Sequence, residues 1–120
     1  MRVQRDYASQ KSYNIHKQWR TVIRMSRIYV AGPLFSEAEK RYNEYLSKCL
    51  EDMGFETFLP QRDGYELSEL LANGDSESVA MGKIFKRDIS EIQKSDIVVF
   101  VMDGRVPDDG ACVEIGYAYA

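Results

Sequence analysis

Asp96-Ile97-Val98-Val99-Phe100-Val101-Met102-Asp103-Gly104 decides how the rest of the chain is read. Residues 97–102 are apolar without a break, of strand length, entered from an acid and left through an Asp-Gly turn. A half-exposed strand alternates apolar and polar positions. An unbroken run marks a strand covered on both faces, as in a parallel sheet between helices. Toward the N-terminus, residues 77–94 carry Met81, Ile84, Phe85, Ile89 and Ile92 at helical spacing. Residues 61–76 are polar, interrupted by Gly64 and Asn73-Gly74, and take no assignment. Residues 55–59 read as a second strand ended by Pro60. Before it, Ser36 and Glu39 have the spacing of a capping box. Tyr42, Tyr45, Leu46, Cys49, Leu50 and Met53 then recur at helical spacing up to Gly54, which closes the helix. Arg27-Ile28-Tyr29-Val30-Ala31 is a first strand that stops at Gly32-Pro33. On the C-terminal side, Asp103-Gly104 and Pro107-Asp108-Asp109-Gly110 form a loop, and a last helix starts near Ala111 and runs to Ala120.

The order β-α-β-(α)-β-α is that of an α/β protein with an open, doubly wound parallel sheet and right-handed crossovers, flavodoxin/Rossmann-like. Such a sheet normally has five strands or more, and three are visible. The expectation is a domain over residues 26–120 that is truncated after the third strand and its following helix, with the C-terminal part missing. Residues 1–25 have six basic side chains against Asp6 alone, whereas the remainder has ten basic and eighteen acidic. Without a clean hydrophobic period, 1–25 reads as a flexible basic N-terminal extension. It resembles a harmless tail, or an upstream start with Met25 as the true first residue, more than a targeting peptide, since no cleavage site or strong amphipathic face is visible.

Composition narrows the function. With 44% hydrophobic and 29% charged residues, the 120-residue chain has the make-up of one soluble domain. A net charge of −3 argues against a nucleic-acid backbone as partner. No apolar run of eighteen residues exists to span a membrane. Cys49 and Cys112 form neither a disulfide framework nor a metal cluster, and reduced thiols fit a cytoplasmic protein. His16, the only histidine, weakens histidine-based catalysis and any histidine-rich metal site.

In open α/β sheets, ligands bind beyond the carboxyl ends of the strands. The richest of those ends here holds Asp103, Arg105, Asp108, Asp109 and, inside the next helix, Glu114. Asp103 and Asp109 have a plain reading as turn residues and a helix N-cap. Glu114 lies among Ala111, Cys112, Val113, Ile115 and Gly116, at the opening of a helix, where the macrodipole is expected to keep it ionised and available as a nucleophile. A dipole-favoured surface glutamate is the alternative. Asp88 falls along the apolar stripe of its helix, four residues from both Ile84 and Ile92, either at the edge of the stripe or pointed into a pocket. Two acids from separate elements suit glycosidic chemistry, one attacking the sugar carbon and the other managing a proton.

These residues resemble those of the nucleoside 2-deoxyribosyltransferase family. The resemblance rests on Ile28-Tyr29-Val30-Ala31-Gly32-Pro33-Leu34-Phe35, on the helix of Asp88, and above all on residues 103–118, Asp-Gly-Arg-Val-Pro-Asp-Asp-Gly-Ala-Cys-Val-Glu-Ile-Gly-Tyr-Ala. It implies that Glu114 is a nucleophile forming a covalent 2-deoxyribosyl ester, and that Asp88 assists proton transfer at the nucleobase. It implies that Asp108 binds the sugar hydroxyls, that Tyr29 orients the glutamate, and that Gly32 and Gly110 sit in the substrate-binding turns. Phe35 matches an aromatic beside the base, with a core or loop-anchoring ring as the other reading. The substrates implied are 2-deoxyribonucleosides and free nucleobases, with no cofactor and no metal. A homo-oligomer with shared active sites is also implied, each pocket completed by a neighbour's residue, usually an asparagine, from beyond the point where this sequence stops.

Two other functions compete. The 2-deoxynucleoside 5′-monophosphate N-glycosidases, of the same superfamily, have a small hydroxyl residue where this chain has Asp108, and a carboxylate there repels a phosphate. An inactive nucleoside-binding relative is the second. A dinucleotide site is disfavoured, because Ala31-Gly32-Pro33 stands where a Gly-x-Gly-x-x-Gly turn is required.

Overall fold

The computed structural model describes residues 26–102 and 106–120. The N-terminal extension with His16, and the loop residues Asp103, Gly104 and Arg105, lie outside them. The described elements are β1 (Arg27–Ala31), α1 (Glu37–Asp52), β2 (Glu56–Phe58), α2 (Pro60–Asp63), α3 (Leu67–Ala72), α4 (Glu77–Gln93), β3 (Ile97–Phe100) and α5 (Asp109–Tyr119). The three strands form one parallel sheet in the order β2-β1-β3. The fold is therefore the expected doubly wound α/β arrangement.

Because strand side chains alternate between faces, β1 divides its residues between two cores. Ile28 and Val30 pack with Leu59 and Val101 on one face, against Leu46 and Leu50 of α1. Tyr29 and Ala31 pack with Phe58, Ile92 of α4 and Ala111 of α5 on the other. Each fully buried side chain of this size contributes roughly 1.5–3 kcal/mol. The alternation also turns Tyr29 toward α4 and α5, which carry Asp88 and Glu114.

Helix α1 starts at the capping box as read: Ser36 Oγ accepts from the Glu39 N–H at 3.2 Å, and Glu39 Oε2 accepts from the Ser36 N–H at 2.7 Å. It stops at Gly54, whose φ of 100° is costly for any residue with a Cβ. Its buried face differs from the apolar pattern. Tyr42, Tyr45 and Met53 are exposed, while Asn43 and Ser47 are buried beside the packed Leu46 and Leu50. Ser47 is tolerated there because it hydrogen-bonds Thr57 of β2.

Further expectations change. The second strand is Glu56–Phe58 rather than 55–59, and Pro60 opens α2 as its first residue instead of only ending the strand. The unassigned stretch 61–76 contains the rest of α2 and all of α3. On α4, Ile92 is buried but Met81 and Phe85 are about half exposed, so the stripe turns away from the sheet at its N-terminal end. Strand β3 is covered on both faces as expected, Val98 and Phe100 packing into one core and Val99 and Val101 into the other, with Ile97 at its start 41% exposed; among the described residues it borders only β1. Helix α5 begins at Asp109, and Asp108, not Asp109, is its N-cap. No helix among the described residues is long and apolar enough to cross a membrane.

Candidate active site

The site begins at the central strand. Tyr29 is fully buried, its ring stacked on Phe58 at 5.5 Å between centroids. Its hydroxyl donates to Glu114 Oε1 at 2.7 Å, across 85 residues of sequence. Burial, and then the nearby Glu114 and Asp88 charges, push the phenol's pKa upward, so it remains a donor at every physiological pH.

Glu114 lies in the second turn of α5. The helix dipole acts mainly within the first turn, so it does not dominate as the sequence suggests. Burial pushes the Glu114 carboxyl up to about 7. The Tyr29 hydrogen bond opposes that rise, while the charges of Asp88 and Asp108 add to it. A carboxylate poised near neutrality, half-buried and held by one neutral donor, is available for proton or nucleophilic chemistry.

Asp88, on α4, is pushed up to about 6, chiefly by burial; Arg87 opposes the shift and Glu91 adds to it. Asp88 lines a cleft of about 620 Å³ at the strand ends, together with Leu34, Phe35, Gln61, Tyr65 and Ile84. Of its two sequence readings, the pocket is the one observed. Phe35 is 81% exposed at this cleft, which excludes a core ring.

The other candidates sit nearby in different circumstances. Asp108 Oδ2 accepts from the Ala111 N–H at 2.8 Å, capping α5, and its charge reaches Glu114. Gly110 lies on that first turn, where an added Cβ meets Asp108 Oδ2 at 3.3 Å. Gly32 is held by packing: a Cβ there approaches Val101 Cβ at 3.0 Å and Asn43 Oδ1 at 3.2 Å. The structure thus brings the charges of Asp88 and Asp108 to bear on Glu114, and those of Glu114 and Asp88 on Tyr29. Tyr29, Glu114, Gly32, Asp108 and Gly110 do not line the cleft itself.

Several contributors carry no sequence signal of their own. Arg87 lies over the rings of Phe58 and Tyr65 at 5.7 and 5.8 Å, within cation–π range, which braces Tyr65 beside the cleft. Glu91, 1% exposed, pairs with Arg27 at 2.6 Å, Lys94 at 3.0 Å and Arg87 at 3.4 Å. Burial alone raises its carboxyl, yet those cations hold it below the ordinary value. Asn43 and Gln61 are polar residues in apolar company, and only their partners reveal a purpose. Among the described residues, no group of three or more His, Cys, Asp or Glu side chains is arranged to hold a metal ion.

A sequence model of nucleoside 2-deoxyribosyltransferases matches residues 28–120. The chain belongs to the nucleoside 2-deoxyribosyltransferase family. The match covers every element of the described residues apart from Arg27 at the start of β1. No curated protein shows a significant match to the chain. For a nucleoside 2-deoxyribosyltransferase family member, glycosyl-transfer chemistry within nucleotide metabolism is the broad activity class, with nucleosides as the substrate class.

Proposed function

We propose that the protein cleaves the N-glycosidic bond of 2-deoxyribonucleosides and passes the 2-deoxyribosyl group to a second nucleobase through an ester on Glu114. The observation that carries this reading is the Tyr29–Glu114 hydrogen bond at 2.7 Å, with Asp88 close enough to raise the Glu114 carboxyl. Glu114 attacks C1′ from the face opposite the base, through an oxocarbenium-like transition state. Asp88, at the cleft, gives its proton to the leaving base. A second base then attacks the ester and restores the original configuration; water in its place gives hydrolysis. Asp108 and the turns at Gly32 and Gly110 hold the sugar side, and Phe35 flanks the base. We read residues 26–120 as the unit that does this, in a cytoplasmic homo-oligomer with shared sites.

The protonation states shape the rate. Turnover needs Glu114 ionised and Asp88 protonated, with carboxyls near 7 and 6 respectively. That combination peaks between the two values and gives a bell-shaped pH profile.

An unphosphorylated substrate is favoured over a 5′-monophosphate by charge. Among the described residues, Glu37, Glu44, Glu66 and Asp88 line the cleft against Lys40 alone, and Asp108 adds a further carboxylate near Glu114. A phosphate dianion is repelled in such surroundings. Two measurements test the proposal. A glycosyl adduct trapped on Glu114 during deoxyinosine turnover is expected, and unchanged activity in Glu114→Ala refutes the mechanism. Deoxyinosine is expected to turn over faster than its 5′-monophosphate, and the reverse order makes the chain a nucleotide N-glycosidase.

A further inference from the structure

Two walls of the cleft come from segments distant in sequence. One is the turn 32–35 after β1, which presents Leu34 and Phe35; the other is α2 with the residues that follow it, which presents Pro60, Gln61 and Tyr65. A single buried side chain joins them. Asn43, on α1 and 2% exposed, donates through Nδ2 to Pro33 O at 2.7 Å and to Gln61 Oε1 at 3.2 Å. Gln61 passes the connection back to α1, donating through Nε2 to Lys40 O at 2.9 Å and to Glu44 Oε1 at 3.3 Å. Both amide groups therefore spend their donors on protein, although Gln61 lines the cleft.

The position is a demanding one for an amide. Asn43 Oδ1 is buried with no hydrogen-bond partner among the described residues. Leaving such an acceptor unsatisfied costs on the order of 1–3 kcal/mol. An apolar residue in the same place, between Ser47 and the strand end, avoids that cost but leaves the turn and α2 unconnected. Gly32 is part of the same joint, since a side chain there runs into Asn43 Oδ1 and Val101.

We propose that Asn43 is a positioning residue for nucleobase binding: its amide holds the turn bearing Phe35 against α2, and so sets the width of the cleft between Phe35 and Tyr65. The inference rests on the reading above, in which the cleft receives the base. It concerns how tightly the base is held and not how the bond is cut.

The test uses the full chain with Asn43→Leu, which keeps the branched shape with bulkier methyl groups and removes both donors, and Gln61→Ala, which breaks the relay from its more accessible end. Binding of deoxyinosine and of hypoxanthine is measured by calorimetry, turnover by base exchange, and stability by thermal unfolding. Loss of one net hydrogen bond's worth of positioning corresponds to about a tenfold rise in Kd and KM for Asn43→Leu, with kcat within about twofold. Gln61→Ala is expected to move the same constants in the same direction, by about threefold or more. A lowered melting temperature with unchanged Kd and KM overturns the inference, because a purely structural asparagine behaves that way. If Asn43→Leu does not fold, Gln61→Ala decides alone, and an unchanged Kd refutes the inference. Wild-type protein that binds hypoxanthine without any turnover overturns the proposed reaction, and the variant Kd values still judge Asn43. Wild-type protein that binds neither ligand overturns both.

Discussion

Tyr29→Phe isolates the one hydrogen bond on which the candidate site turns. The substitution keeps the ring stacked on Phe58 and removes only the hydroxyl that donates to Glu114 Oε1. A hydrogen bond to a charged group contributes about 1.5–3 kcal/mol, and water entering the half-buried site replaces part of it. The lower end converts to about one pKa unit. The sign is fixed by which form is stabilised: the donor favours the ionised carboxylate, so its loss moves Glu114 from about 7 to roughly 8. With Asp88 near 6, the active protonation state becomes about tenfold rarer at pH 5, about eightfold rarer at pH 6.5, and only about twofold rarer at pH 8. The assay is kcat/KM for deoxyinosine against pH in both proteins, with folding checked by circular dichroism. A deficit that narrows toward high pH is expected. A deficit of constant size across the range, or none at all, refutes the argument that Tyr29 acts by setting the ionisation of Glu114.

The other predictions concern the acids and the turn. Asp88→Asn is expected to lower turnover by about 10²–10⁴-fold and to remove the alkaline fall that Asp88 deprotonation causes; a pH–rate profile on deoxyinosine checks both. Glu114→Gln is expected to abolish transfer yet stabilise the fold at pH 8. The folded carboxyl is raised from 4.5 to about 7, so its contribution to stability is lost as pH rises through 7, and the neutral amide avoids that loss, worth about 1–2 kcal/mol after allowance for partial exposure. Thermal melts at pH 4 and pH 8 test this, and an equal effect at both contradicts it. Gly32→Ala is expected to cost about 1–3 kcal/mol in urea denaturation, since its Cβ has to sit 3.0 Å from Val101 Cβ.

Much of this molecule is legible in its sequence. The unbroken apolar run at 97–102, the Ser36–Glu39 box and Gly54 are local signals, and local signals survive folding. What was not legible depends on long-range neighbours. The polarity of Asn43 and Ser47 concealed the buried face of α1, because the groups that satisfy them belong to the turn after β1, α2 and β2. The short helices between residues 60 and 72 are too brief to show a period. Among the described residues strand β3 borders only β1, and a strand's composition does not say which neighbours flank it. At the site, sequence spacing singled out Glu114 and Asp88 but gave the wrong sign for Glu114's ionisation. Position near a helix start is visible in a sequence, whereas the burial that raises the carboxyl is a property of the packed molecule.

The division of labour along β1 has a practical consequence for anyone re-engineering the protein. Tyr29 faces the reactive carboxylates, while its neighbours Ile28 and Val30 face α1 through a separate apolar layer with Leu59 and Val101. Combinatorial libraries confined to Ile28, Val30, Leu50 and Leu59 can therefore search for thermal robustness on the face away from Tyr29 and Glu114, provided nucleobase binding is followed alongside, because α1, on which that layer packs, also carries Asn43 and lines the cleft.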